Sequence, residues 1–140
     1  MITIRIMLKT PRKKKAGTDA DVQASITSTM GGMDWTVLDR KNVDDREQGS
    51  FDYYTFTLPQ DIGIIQELKL RVKKANENGP EWLLEAAYVH IVNQTNLYKF
   101  FYNQWIVPTS YTDWVIVKMT NPKILNVHNT EFGQPRPLGL

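Results

Sequence analysis

Residues 11–22, PRKKKAGTDADV, set four consecutive cations, Arg12, Lys13, Lys14 and Lys15, directly before a small turn carrying Asp19 and Asp21. Three roles suit such a stretch. A basic run can face an anionic membrane, where each Lys or Arg near the surface contributes roughly 1 kcal/mol. Aspartates in a turn can form half of a calcium site, because calcium is a hard cation that takes about six to eight oxygen ligands from adaptable loops. The third role is a solvated connection between two strands. A separate acidic stretch, residues 39–52, holds Asp39, Asp44, Asp45, Glu47 and Asp52 among three basic residues, so charge is segregated along the chain although the formal net charge is only +2.

Residues for catalysis are sparse. Without cysteine there is no thiol nucleophile, disulfide or thiolate metal site. His90 lies in an alternating segment and His128 in the irregular C-terminal region, and neither adjoins a Ser or Cys in a nucleophile elbow. No P-loop, dinucleotide fingerprint or zinc-ligand spacing occurs. The chain is therefore expected not to be an enzyme. No nucleic-acid partner is expected either, because the basic run lacks interleaved aromatics.

The elements that must position these groups follow from periodicity. Hydrophobic residues at 41%, aromatics at 11% and charges at 23% describe a folded chain, and 140 residues suit one domain. Ile2, Ile4 and Ile6 alternate with Thr3 and Arg5, as a half-buried strand requires. The same period of two runs through DVQASITS, DWTVLD, FDYYTFTL, ELKLRVKK, WLLEAAYVHIV, LYKFFY and WVIVKM. Turn signals such as ANENGPE separate these segments, and LPQDIGIIQ alone hints at a helical turn. About eight short strands predict an all-β fold, an antiparallel β-sandwich. Alternation fades after Thr120, so the domain is expected at 1–118 with an extended C-terminal tail or linker at 119–140.

The N-terminus, MITIRIMLKT, has neither the apolar core nor the cleavage site of a signal peptide, which leads to an expected cytoplasmic location with peripheral membrane association. A piece cut from a larger protein would carry its targeting elsewhere. A glycosylation triplet, Asn93 to Thr95, would matter in that case.

Four segments in order, AGTDADV at 16–22, QGSFDYYTF at 48–56, LKLRVKKANENGPEWLLEAAYV at 68–89 and YKFFYNQWI at 98–106, resemble the PLAT (lipoxygenase homology) domain. This family occurs in lipoxygenases, pancreatic lipases, a clostridial phospholipase toxin and polycystins. The resemblance implies two packed four-stranded sheets and a non-catalytic module. Such a module attaches a larger protein to an anionic membrane surface or lipid, in several members with calcium; the alternative is a protein-interaction domain that docks a partner enzyme, channel or scaffold.

Carried over by position, the resemblance implies calcium ligands at Gly17, Asp19, Asp44, Asp45 and Glu47. Lys15 stands where the toxin relative is acidic, and Arg40 and Lys41 stand where it supplies an Asp-Asn pair. Two outcomes stay open: the carboxylates hold calcium, or they shape a turn and are solvated, with Lys15 or Arg46 filling the acidic cluster. Lipoxygenase relatives place a Trp at the tip where this chain has Lys14, so electrostatic docking without insertion is expected from Arg12, Lys13, Lys14 and Lys15. Met30 and Met33, on a Gly-Gly turn, and Trp35 are further candidates for membrane or partner contact. Trp82 and Trp105 match positions that pack the sandwich.

Overall fold

The computed structural model describes residues 1–39, 46–75 and 81–128. Nine strands occur among them: β1 Ile2–Lys9, β2 Asp21–Ser28, β3 Gly31–Val37, β4 Phe51–Leu58, β5 Ile65–Lys73, β6 Trp82–Ile91, β7 Asn96–Ile106, β8 Val115–Thr120 and β9 Lys123–Asn126. They form a sandwich of two antiparallel sheets, one of order β4-β1-β6-β7-β9 and one of order β3-β2-β5-β8. No described helix is long and apolar enough to cross a membrane.

Pleating explains the layers. Ile4, Ile6 and Leu8 of β1 and Leu84, Ala87 and Val89 of β6 point inward from one sheet; Val22, Ala24 and Ile26 of β2 and Leu68, Leu70 and Val72 of β5 meet them from the other. Full burial of an Ile or Leu contributes about 1.5–3 kcal/mol, so this alternation fixes which face of each strand is inside. Trp82 is fully buried, and its indole Nε1 donates to Thr10 Oγ1 at 2.9 Å. The segment from β5 to β6 passes from one sheet to the other, so it is a crossover rather than a hairpin.

Three expectations change. The sandwich has five and four strands rather than four and four, because Lys123–Asn126 pairs with Asn96–Lys99 of β7. The end of the alternation therefore does not mark an extended tail from residue 119: β8 runs through Thr120, and Val127 is bonded to Thr95 and packs with Met7, Ala86, Tyr88 and Leu97 on the outer side of the five-stranded sheet. A four-residue strand is too short to show a period. LPQDIGIIQ contains no helical turn; Asp61 Oδ1 accepts from the Gly63 amide at 2.9 Å, Gly63 takes φ 76°, and β5 begins at Ile65. An aspartate-led turn with a left-handed glycine replaces the helix.

Candidate functional site

The charged candidates among the described residues, Arg12, Lys13, Lys14, Lys15, Asp19 and Glu47, collect at one end of the sandwich. This end holds the C-termini of β1, β3, β5 and β7 and the N-termini of β2, β4, β6 and β8. The loop after β1 is built by short-range bonds: Lys13 N donates to Pro11 O at 2.9 Å, Ala16 N to Lys13 O at 3.0 Å, and Lys15 turns through φ 63°. Ala16 is buried and its carbonyl accepts from Leu83 N at 2.9 Å, which anchors the loop to β6. Arg12, Lys13, Lys14 and Lys15 are left exposed, and none of them is ion-paired among the described residues.

The segment before β4 packs on that loop. Thr18 N donates to Arg46 O at 2.9 Å and Gly49 N to Pro11 O at 3.1 Å. Gly17 sits where the two segments are nearest: a Cβ there would lie 2.9 Å from Arg46 O and 3.1 Å from Glu47 Cα. Arg46 is buried and holds the arrangement from beneath. Its Nη1 donates to Leu38 O at 2.7 Å and to Tyr54 Oη at 2.8 Å, its Nη2 to Ala20 O at 3.3 Å, and its own amide to Asp52 Oδ2 at 2.8 Å. The guanidinium thus ties β3, β4 and the turn before β2 together, which is the use the sequence did not reveal for it.

Gly17, Asp19 and Glu47 line one open cleft of about 210 Å³ together with Lys15, Thr18 and Gln48. Three of the five expected calcium ligands are therefore brought together, from two loops, with oxygen as the only donor type. That donor set suits a hard cation. Asp44 and Asp45 lie outside the described residues, and among the described residues no three His, Cys, Asp or Glu cluster closely enough to hold a metal. A larger groove of about 480 Å³ opens beside it, lined by Asp19, Asp21, Asp39, Gln23, Lys73 and Trp114 among others.

Apolar groups reach the same end. Trp105 is 42% exposed rather than packed in the core, because the neighbouring Ile106 takes the inward position on the pleat. With Val107, itself 51% exposed, it lines a cavity of about 540 Å³ shared with Lys15, Gly17 and Glu81. Tyr111 is exposed on the next loop, its ring 5.2 Å from Lys74 Nζ.

The methionines do not belong to this cluster. The β2–β3 turn lies at the opposite end, about 25 Å away along eight-residue strands. Met30 is exposed there, but Met33 is buried in the core. Trp35 lies on the outer face of the four-stranded sheet, 4.4 Å from the Arg71 guanidinium.

The sequence profile of the PLAT/LH2 domain family matches residues 4–117. Among solved structures, a coral 8R-lipoxygenase whose report describes calcium activation via a C2-like domain matches with a TM-score of 0.71 and 25% identity, over 86% of this chain and 17% of that one. A lipoxygenase variant in complex with arachidonate matches with a TM-score of 0.72 and 23% identity, over 88% and 17% of the two chains. Clostridium perfringens alpha-toxin matches at 0.64 and 22%, over 85% and 31%. The last two likenesses show the fold alone. This chain thus spans only 17% of the lipoxygenases and 31% of the toxin. No curated protein sequence matches it.

Proposed function

The chain belongs to the PLAT/LH2 domain family, and from that premise we propose that it is a non-catalytic targeting module that docks a larger protein on anionic membrane surfaces, with calcium assisting. One observation supports this above others: the exposed cations Arg12, Lys13, Lys14 and Lys15 share an end of the sandwich with exposed Trp105 and Val107, and Lys15, Trp105 and Val107 line one cavity. Cations draw the module to acidic headgroups, and an indole seats well at the boundary between headgroup and acyl chain. Docking then combines charge with shallow aromatic insertion, where the sequence led to an expectation of charge alone. The exposed aromatic at this end comes from the end of β7 instead of from the basic loop.

Gly17, Asp19 and Glu47, joined by Asp44 and Asp45, are the residues that would hold calcium. A calcium ion there would convert an acidic cleft beside the basic loop into a cationic one that bridges to phosphate oxygens. Sedimentation with phosphatidylserine vesicles tests the proposal. The expected result is recovery in the pellet at low salt, lowered by chelator and by raised salt. Equal recovery in the supernatant under all these conditions would sink it.

A further inference from the structure

The outer face of the four-stranded sheet carries a second arrangement that membrane docking does not use. Val37, Gln23, Arg71 and Ile116 are register partners across β3, β2, β5 and β8, and their neighbours Val22, Leu70, Val72 and Val117 are buried, so all four project outward in one row. Arg71 occupies the centre. Its Nε donates to Gln23 Oε1 at 2.9 Å and its Nη2 reaches the same oxygen; the guanidinium lies 4.4 Å from the Trp35 ring centroid and 4.6 Å from that of Trp114. Two indoles and an amide hold this cation in one orientation, while Nη1 has no hydrogen-bond partner among the described residues.

Asp21, the register partner of Lys73, borders this face with Asp19 and Asp39 in the groove that Lys73 and Trp114 line, yet the lysines beside Arg71 turn toward aromatic rings instead. Lys73 Nζ lies 4.6 Å from the Trp114 ring centroid and Lys74 Nζ 5.2 Å from that of Tyr111. Neither lysine, nor Arg71, is ion-paired among the described residues, whereas Lys69 and Lys118 farther along the face both reach Glu67 at 3.4 Å. Val37 and Ile116, at 58% and 60% exposed, flank the row with uncovered apolar surface.

We infer that this face docks an acidic protein segment, whose carboxylates take Arg71, Lys73 and Lys74 and whose apolar side chains cover Val37 and Ile116. A planar guanidinium fork matches a carboxylate in two parallel hydrogen bonds. Trp and Arg are the residues that most often carry the binding energy of protein interfaces, here already held in place before a partner arrives. A bilayer is the poorer fit. It would meet the loop end of the sandwich, across the strands, whereas this face runs along them.

The test titrates the intact chain with a synthetic peptide of alternating Glu-Glu-Leu units, and with its Gln-Gln-Leu counterpart, following tryptophan fluorescence and heat. Saturable binding of the acidic peptide is expected, absent for the Gln peptide and weakened about tenfold or more by Arg71→Gln, as for an interface hot spot. Arg71→Lys keeps the charge without the fork and should fall between. Ile116→Asp, at an exposed position that folding tolerates, should weaken binding independently of any effect of Arg71 on the sheet. Arg71→Gln and Ile116→Asp should each sediment with phosphatidylserine vesicles as the parent does. Absence of saturable binding by the parent, or affinity equal to the parent's in both Arg71→Gln and Ile116→Asp, overturns the inference. So does a loss of vesicle binding by Arg71→Gln with peptide binding unchanged, which would assign the face to the membrane.

Discussion

The Thr18 amide donates to the Arg46 carbonyl at 2.9 Å, and this bond joins the loop after β1 to the segment before β4. Gly17 precedes the donor and has no room for a side chain, since a Cβ would stand 2.9 Å from the same carbonyl oxygen. Gly17→Ala must therefore push the two segments apart. The expected loss is about 1–3 kcal/mol of stability, as for overpacking, read by urea denaturation. Calcium affinity, read by calorimetry, should fall with it, because Asp19 and Glu47 face the cleft from opposite sides of this contact. A variant as stable as the parent would contradict the close approach.

Arg46 supports the same junction from inside. Its replacement by Ala leaves Leu38 O, Ala20 O and Tyr54 Oη short of a buried donor. The expected cost is about 3–5 kcal/mol, as for removal of one member of a buried charged network. Thermal unfolding measures it, and a loss no larger than that of an exposed Lys13→Ala change would contradict the role.

Two tryptophans separate packing from docking. Trp82→Ala removes a buried indole and its bond to Thr10, which should cost about 3–5 kcal/mol. Trp105→Ala, at an exposed position, should change stability by only about 0.5 kcal/mol while weakening vesicle binding. Denaturation and sedimentation of both variants, run side by side, check the contrast; reversal of the two effects would overturn the assignment.

Charge in the basic loop should set the salt dependence. Replacing Lys13 and Lys14 together by Gln removes two exposed cations, and vesicle binding should weaken by about 2 kcal/mol at low salt, with the difference shrinking as salt is raised. Vesicle titrations at two ionic strengths measure this, and a loss that does not depend on salt would contradict an electrostatic origin.

His90 gives the fold a pH dependence. It is nearly fully buried, with Nε2 2.8 Å from the Gln94 carbonyl oxygen. Burial lowers its pKa; the Gln94 bond opposes this, and the charges on Arg5 and His128 add to the lowering. The folded pKa therefore lies below the unfolded value of about 6.5. Between the two the unfolded chain holds more protons, so stability is full above about pH 6.5 and falls as pH drops toward the folded pKa. Urea denaturation from pH 7.5 to 5 should show a steeper loss for the parent than for His90→Gln. Parallel curves would contradict it.

Eight of the nine strands could be read directly, since each is long enough for alternation to show which side is buried. FDYYTFTL coincides with β4, and all of ELKLRVKK but its last residue, Lys74, falls in β5. The ninth, KILN, was not legible because a four-residue edge strand owes its place to β7 rather than to its own pattern. Met33 and Trp105 were misplaced for a related reason. Whether a residue at a turn or strand end faces core or solvent depends on register and on what the opposite sheet supplies, so Met33 folds inward while Trp105 faces out.

The sequence by itself determined the all-β sandwich and the basic run at Arg12–Lys15, because period and residue order are local properties; the ligand role of Gly17, Asp19 and Glu47 came from the family resemblance. Asp44 and Asp45 lie outside the described residues. Only the tertiary structure decided which groups share a surface. It brought Trp105 to Lys15 across 90 positions, fixed Gly17 against Arg46, and set Arg71 of β5 against Trp35 of β3 and Trp114 just before β8. Those proximities come from strand order and register across the two sheets, and no local pattern encodes them.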